Sequence, residues 1–241
     1  MRGIILAAGR GSRMGALTDD FPKCRTVLHG KELIQWQLDS FRGADINEIG
    51  VVRGYLAKTF NFNLTYFENQ RWFETNMLMS LVAANEWLQN EVCIASYSDI
   101  VFSVDVVDRL KSASGDIVLS YDPNWKDLWS MRFEDPLSDA ETFKLEGNRV
   151  VEIGNKATSM DEIEGQYMGL VKYTPKGWKQ VCGYLEQFKQ SEIDSMDMTM
   201  LLQGLIGAGV EVQGVPIMDK WYEVDSESDL RKYEAIFFPN Q

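Results

Sequence analysis

The densest chemistry in the chain lies near its start, in Leu6-Ala7-Ala8-Gly9-Arg10-Gly11-Ser12-Arg13-Met14, with Pro22-Lys23 close behind. Glycines lack side chains and let backbone N–H groups approach an anion, while Arg10, Arg13 and Lys23 bring positive charge to the same place. Together these residues fit a cradle for a triphosphate. The stretch is not a Walker A loop, because no Gly-Lys-Ser/Thr follows a glycine at the required spacing, and the glycine spacing also misses the dinucleotide fingerprint. Gly9 and Gly11 taken alone would serve equally as a tight strand-to-loop turn.

Two carboxylates stand where a ligand-binding α/β sheet would present them. Val92 to Tyr97 reads as a buried strand ending in Ser98-Asp99, at the carboxyl edge where open α/β folds bind ligands. Trp221 to Asp225 reads as a short strand leading into Ser226 and Asp229, a capping-box-like helix start, and Glu223 and Asp229 compete with Asp225 for any metal role. The single His29 argues against a histidine-rich metal site or a histidine relay, and Cys24, Cys93 and Cys182 are too scattered for a zinc site or a disulfide framework. Any bound metal should be hard and held by oxygen.

The elements that must position these groups are legible in outline. With 241 residues, 45% hydrophobic and 25% charged, the chain suits one globular domain with a small insertion. A net charge of −12 argues against nucleic acid as a partner. Residues 1 to 31 nevertheless carry Arg2, Arg10, Arg13, Lys23, Arg25 and Lys31 against Asp19 and Asp20, a local +4 suited to a small polyanion. The apolar run Gly3 to Ala8 is too short for a signal-peptide core, so a cytoplasmic protein without a membrane role is expected. Strands are expected at Gly3–Ala8, Glu48–Arg53, Leu64–Phe67, Val92–Tyr97, Asp116–Tyr121, Gln166–Tyr173 and Val210–Pro216. Helical stripes run through Leu33, Ile34, Leu38 and Phe41, and through Leu78, Leu81, Val82, Trp87 and Leu88 after a Thr75 cap. Further helices are expected at Lys176–Phe188, Met196–Ile206 and Ser226–Phe237. The rhythm breaks between residues 122 and 165, with a hairpin-like stretch at Glu146 to Asn148, and this is taken as an acceptor-binding insertion. The alternation argues for a three-layer α/β fold with a mainly parallel sheet.

The run from Leu6 to Met14 with Pro22-Lys23 resembles the signature of the nucleotidyltransferase superfamily that makes sugar nucleotides and related activated alcohols. That resemblance implies a Rossmann-like, GT-A-like fold with a mixed sheet. It implies that Leu6 through Ser12 wrap a nucleotide, that Arg13 and Lys23 contact phosphates, and that Asp99 and Asp225 jointly hold Mg²⁺, which suits two carboxylates and phosphate oxygens. Thr75-Asn76-Met77, Ser80-Leu81, Ser96 to Asp99, Trp129 to Glu141, Glu152 to Gly154 with Lys156, Glu162 to Gly169 and Met198-Thr199 resemble cytidylyltransferases acting on phosphocholine and aminoalkylphosphonates. Trp129 to Tyr167 is also similar to enzymes that cytidylylate phosphoglutamine for capsule phosphoramidate, a cell-surface polysaccharide modification. The implied partners are CTP and a small anionic phospho or phosphono acceptor. Asn76, Ser80 and Ser98 are offered as nucleotide contacts, and Lys156, Arg132, Tyr97, Trp129 and Glu164 as acceptor contacts. Trp125, Trp129, Tyr97 and Tyr121, with Asp122 and Glu164, form a candidate ammonium site through cation–π and carboxylate contacts. The base, the acceptor and the oligomeric state, a homodimer included, stay open. So do a sugar-1-phosphate nucleotidyltransferase, a glycosyltransferase of the related fold and a non-catalytic nucleotide-binding regulator.

Overall fold

A computed structural model describes residues 1–235. The end of the expected closing helix, at Phe237, lies outside them. In chain order the elements are β1 (Arg2–Ala7), β2 (Val27–Leu28), β3 (Lys31–Glu32), α1 (Leu33–Gly43), β4 (Ile49–Arg53), β5 (Thr65–Glu68), α2 (Met77–Ala83), α3 (Asn85–Asn90), β6 (Cys93–Tyr97), β7 (Ile100–Val101) and α4 (Val104–Ser112). They continue with β8 (Ile117–Asp122), α5 (Trp125–Arg132), β9 (Glu141–Glu146), β10 (Arg149–Lys156), β11 (Gln166–Tyr173), α6 (Pro175–Leu185), α7 (Gln190–Ser195), α8 (Met198–Gly207), β12 (Gln213–Pro216), β13 (Tyr222–Glu223) and α9 (Glu227–Glu234).

Nine strands form one sheet in the order β5-β4-β1-β6-β11-β8-β12-β10-β9. Strands β11 and β10 run against the other seven, so the sheet is mixed: most strands share one direction, while four of the eight neighbour pairings are parallel and four antiparallel. Strand β1 lies inside the sheet between β4 and β6, which is why its run is apolar on both faces. Ile5 and Ala7 point into one core with Leu38 and Phe41 of α1 and Val106 and Leu110 of α4. Ile4, Leu6 and Ala8 point into the other with Leu78, Trp87, Trp178 and Leu201 from α2, α3, α6 and α8. The period-2 alternation of β1 thus builds both outer helix layers of a three-layer α/β fold.

Segment 122–165 holds α5 and the β9–β10 hairpin. The hairpin turns at Gly147, whose positive φ of 62° suits glycine, and joins the edge of the main sheet through β12. The Leu78–Leu88 stripe is two helices, because the chain leaves helical geometry at Ala84 (φ −92°, ψ 17°). The cap of α2 is Asn76, whose side chain accepts from Met77 N at 2.7 Å, one residue later than the expected Thr75. No helix among the described residues is long and apolar enough to cross a membrane.

Candidate active site

The carboxyl ends of β1 and β6 carry the groups singled out in the sequence. After Ala8 the chain enters a tight loop in which Gly11 adopts φ 69°, ψ 47°. A Cβ there would stand 2.8 Å from Cβ of Lys23, so the left-handed backbone and the approach of the lysine stem both require glycine. Thr18 Oγ1 lies 3.3 Å from the Gly11 and Gly15 carbonyls, and buried Met14 anchors the loop in the core. Gly9, Arg10, Ser12 and Arg13 remain exposed around the turn, with Arg10 paired to Asp19 at 3.0 Å. Leu6, Ala7 and Ala8 are buried, so their side chains build the core and aim the loop.

Lys23 brings the distant carboxylates together. Its Nζ donates to Asp99 Oδ2 at 2.7 Å and to Asp225 Oδ1 at 2.6 Å, linking residues 76 and 202 positions away. Arg13 reaches the same Asp225 oxygen at 3.0 Å. Burial opposes a charge on Lys23, but Asp99 and Asp225 outweigh it and hold its pKa above the ordinary lysine value. Burial likewise works against the Asp225 carboxylate, and Lys23, Arg13 and Arg132 together hold its pKa below the ordinary range. Ser98 is buried beside Asp99.

The turn bearing Asp99 is fixed by a residue that the sequence reading missed. Gln37, buried on α1, donates to the carbonyls of Tyr97 at 2.8 Å and Ile100 at 2.7 Å, and accepts from Ser96 Oγ at 2.9 Å. From the other side, Val224 N donates to Asp99 O at 2.8 Å beside the β7–β13 pairing, which places Asp225 against Asp99. A polar residue at the centre of an apolar helix stripe was the available signal.

A divalent cation fits this donor set. Asp99 Oδ1 is buried without a hydrogen-bond partner, and Asp225 Oδ1 faces the same lysine nitrogen as Asp99 Oδ2. Among the described residues no three His, Cys, Asp or Glu side chains form a metal cluster. The protein would therefore supply two carboxylates and leave the remaining positions to phosphate and water, an arrangement Mg²⁺ favours.

The acceptor candidates divide. Arg132 is no acceptor contact: its side chain is 1% exposed and fully engaged by Glu223, Asp225 and Asp229. Trp129 is likewise core, with its ring near Trp125 and Trp221 and its Nε1 donating to Asp139 at 3.1 Å. Asp122 accepts from Trp221 Nε1 at 2.9 Å, and Tyr121 lies 5.0 Å from the Phe143 ring. Glu164 is exposed but accepts from Leu145 N at 2.7 Å, which stitches the hairpin. Of the candidate ammonium site, Trp125, Trp129 and Asp122 are buried, so folding uses them internally. Lys156 ends β10, exposed, opposite Glu141. Tyr97 is half-buried, edge-on to Tyr167 at 5.8 Å, next in the chain to Ser98-Asp99. Ser80 is buried and accepts from Asn69, while Asn76 caps α2 and donates to Ser195 O at 3.3 Å, so both are tied into local structure.

Glu141 and Asp197, which share Thr199 as a neighbour, were not foreseen. Glu141 is pushed up to about 7 by burial, then by Asp197 and Asp139, against a hydrogen bond from Thr199. Asp197 caps α8 and accepts from Thr199 Oγ1 at 3.2 Å, and its charge also reaches Tyr97.

A glycine turn, two cations and two carboxylates converging at the carboxyl edge of a Rossmann-like sheet define a nucleotidyltransferase. The chain belongs to the MobA-like NTP transferase domain family, whose profile matches residues 3–142. The CTP:phosphoglutamine cytidylyltransferase of Campylobacter jejuni is 36% identical over 247 residues, covering 95% of this chain and 98% of its own. The choline-phosphate cytidylyltransferase of Streptococcus pneumoniae is 31% identical over 39% of this chain and 43% of its own. Among solved structures, the inositol-1-phosphate CTP transferase from T. maritima shares the fold with a TM-score of 0.75 at 21% identity, over 97% of this chain and 96% of that one.

Proposed function

We propose that this protein is a cytidylyltransferase that transfers CMP from CTP to a small phosphorylated or phosphonate metabolite, with an amine-bearing acceptor such as phosphoglutamine favoured. The observation that carries the chemistry is the convergence of Asp99 and Asp225 on Lys23 beside the Gly11 turn. The full-length similarity to the Campylobacter jejuni enzyme supports CTP and phosphoglutamine.

In this reading an acceptor oxygen attacks the α-phosphorus of CTP in line. The new P–O bond forms as the bond from that phosphorus to the α–β bridging oxygen breaks, and pyrophosphate departs with the electron pair. The acceptor oxygen is already anionic near neutral pH, so no general base is required and positioning with electrostatics dominates. Backbone N–H groups around Gly9 and Gly11 receive the triphosphate, and Arg13 and Lys23 offset its charge. Asp99 and Asp225 would hold Mg²⁺, which when bound supplies charge neutralisation across the phosphates.

The test is a pyrophosphate-release screen of four NTPs against phosphocholine, 2-aminoethylphosphonate, phosphoglutamine and glucose 1-phosphate, with and without Mg²⁺. Release from CTP with an amine-bearing acceptor, dependent on Mg²⁺, is the expected outcome. Turnover confined to glucose 1-phosphate would make the protein a sugar-1-phosphate nucleotidyltransferase, and silence throughout would refute the proposal.

A further inference from the structure

One guanidinium holds three carboxylates behind the site. Arg132, in the last turn of α5, donates through Nη2 to Asp225 Oδ2 at 3.0 Å, through Nε to Asp229 Oδ1 at 3.4 Å, and through Nη1 to Glu223 Oε2. Asp229 closes a ring, because its other oxygen accepts from Asp225 N at 3.2 Å and Ser226 N at 2.9 Å. Lys232 Nζ donates to Arg132 O at 2.8 Å, so α9 and α5 brace one another through the same residue. Asp225 is therefore held by its main chain and its side chain from a single buried assembly.

This assembly gives the two oxygens of Asp225 different neighbours. Oδ2 faces inward to Arg132, whereas Oδ1 faces Lys23 and Arg13 on the loop side. The terminal torsion of an aspartate is broad, so a carboxylate without an inner partner would sample other orientations. A planar guanidinium with donors in several fixed directions holds it better than a point charge does.

We propose that Arg132 is a positioning residue for the transfer reaction: by engaging Asp225 Oδ2 it fixes Oδ1 toward the phosphate site. The inference rests on the reading of Asp225 as a metal carboxylate.

Arg132→Lys keeps the charge but not the fork, and Asp229→Asn loosens the ring from its other side if the lysine variant does not fold. The probe is Mn²⁺, followed by electron paramagnetic resonance on the whole protein with and without CTP, alongside kinetics and thermal melting. A folded Arg132→Lys protein should bind CTP without metal as the wild type does. Its Mn²⁺ affinity in the presence of CTP should fall about 10–100-fold, as loss of outer-shell partners commonly causes, with kcat falling in parallel and acceptor KM within about twofold. Asp229→Asn should move the same quantities in the same direction by less. Unchanged Mn²⁺ affinity and kcat in a folded variant would overturn the proposal. So would a selective rise in acceptor KM, which would make Arg132 a substrate contact, or an equal loss of metal-free CTP affinity, which would indicate general collapse of the site. A wild-type protein that binds Mn²⁺ with CTP but transfers nothing would refute the proposed reaction while leaving the metal-positioning role to be decided by the same spectra.

Discussion

Replacing Asp99 by Asn removes one of the two anions that face Lys23 while preserving the shape of the side chain. At 2.7 Å the Lys23–Asp99 pair carries a Coulomb attraction of about 6 kcal/mol at an effective dielectric near 20. Most of that is offset by relieved desolvation, and the amide oxygen still accepts from Lys23. Asp225, 2.6 Å from the same nitrogen, keeps the lysine paired, so no buried cation is orphaned. The net loss of stability should therefore be about 1–2 kcal/mol, a Tm drop of about 2–8 °C for a chain of this size. On the proposed reading catalysis should suffer more, because Asp99 would help hold the Mg²⁺ whose charge offsets the phosphates. Loss of one such electrostatic contact is expected to raise the barrier by about 3–4 kcal/mol, a fall of roughly 10²–10³-fold in kcat. The half-saturating Mg²⁺ concentration should rise about tenfold or more. The assay is steady-state pyrophosphate release over a Mg²⁺ titration, with a thermal melt on the same sample. A folded Asp99→Asn protein with kcat within about threefold of wild type and the same Mg²⁺ requirement would refute the reasoning.

Gly11→Ala should cost about 1–3 kcal/mol through the left-handed backbone and the 2.8 Å approach of Lys23, and weaken CTP binding measured by calorimetry; an unaltered Kd would contradict the loop geometry. Gln37→Leu leaves the carbonyls of Tyr97 and Ile100 without their donor, so the denaturation midpoint should fall by the equivalent of about 2–4 kcal/mol, and a neutral result would show that the Asp99 turn does not depend on α1. Glu141 keeps its proton in the folded protein up to about pH 7 but releases it near its ordinary value when unfolded, so the wild type loses stability as pH rises between those points. Glu141→Gln should then be the more stable protein above pH 7, with the advantage vanishing toward pH 4, and parallel Tm–pH curves for the two proteins would remove Glu141 from the account.

Much of the site could be read from the sequence because its signals are local. The two-sided apolar run of β1, Gly11 beside cations, and Asp99 at a strand exit each need only a few neighbouring residues. The Ser226–Asp229 cap was legible too: Asp229 N donates to Ser226 Oγ at 3.1 Å, and Asp229 Oδ2 accepts from Ser226 N. Arg132 and Trp129 were misread for the opposite reason. The resemblance offers both as acceptor contacts, but the partners that bury Arg132 lie 91 to 97 positions later, and Trp129 packs on Trp221. Gln37 was missed because its acceptors lie on the β6–β7 turn, some 60 positions away in the chain. The β9–β10 hairpin was visible as a turn at Gly147, but its place at the sheet edge depends on β12, whose Gln213 pairs with Arg149 from 64 residues further on.

The most direct test follows ¹⁸O from the acceptor phosphate or phosphonate in a reaction with unlabelled CTP and Mg²⁺, read by mass spectrometry and ³¹P NMR. Attack on the α-phosphorus places the label in the CMP adduct and leaves the released pyrophosphate unlabelled. Label in pyrophosphate or free phosphate, or an adduct without label, would contradict a cradle that holds the β- and γ-phosphates as the leaving side.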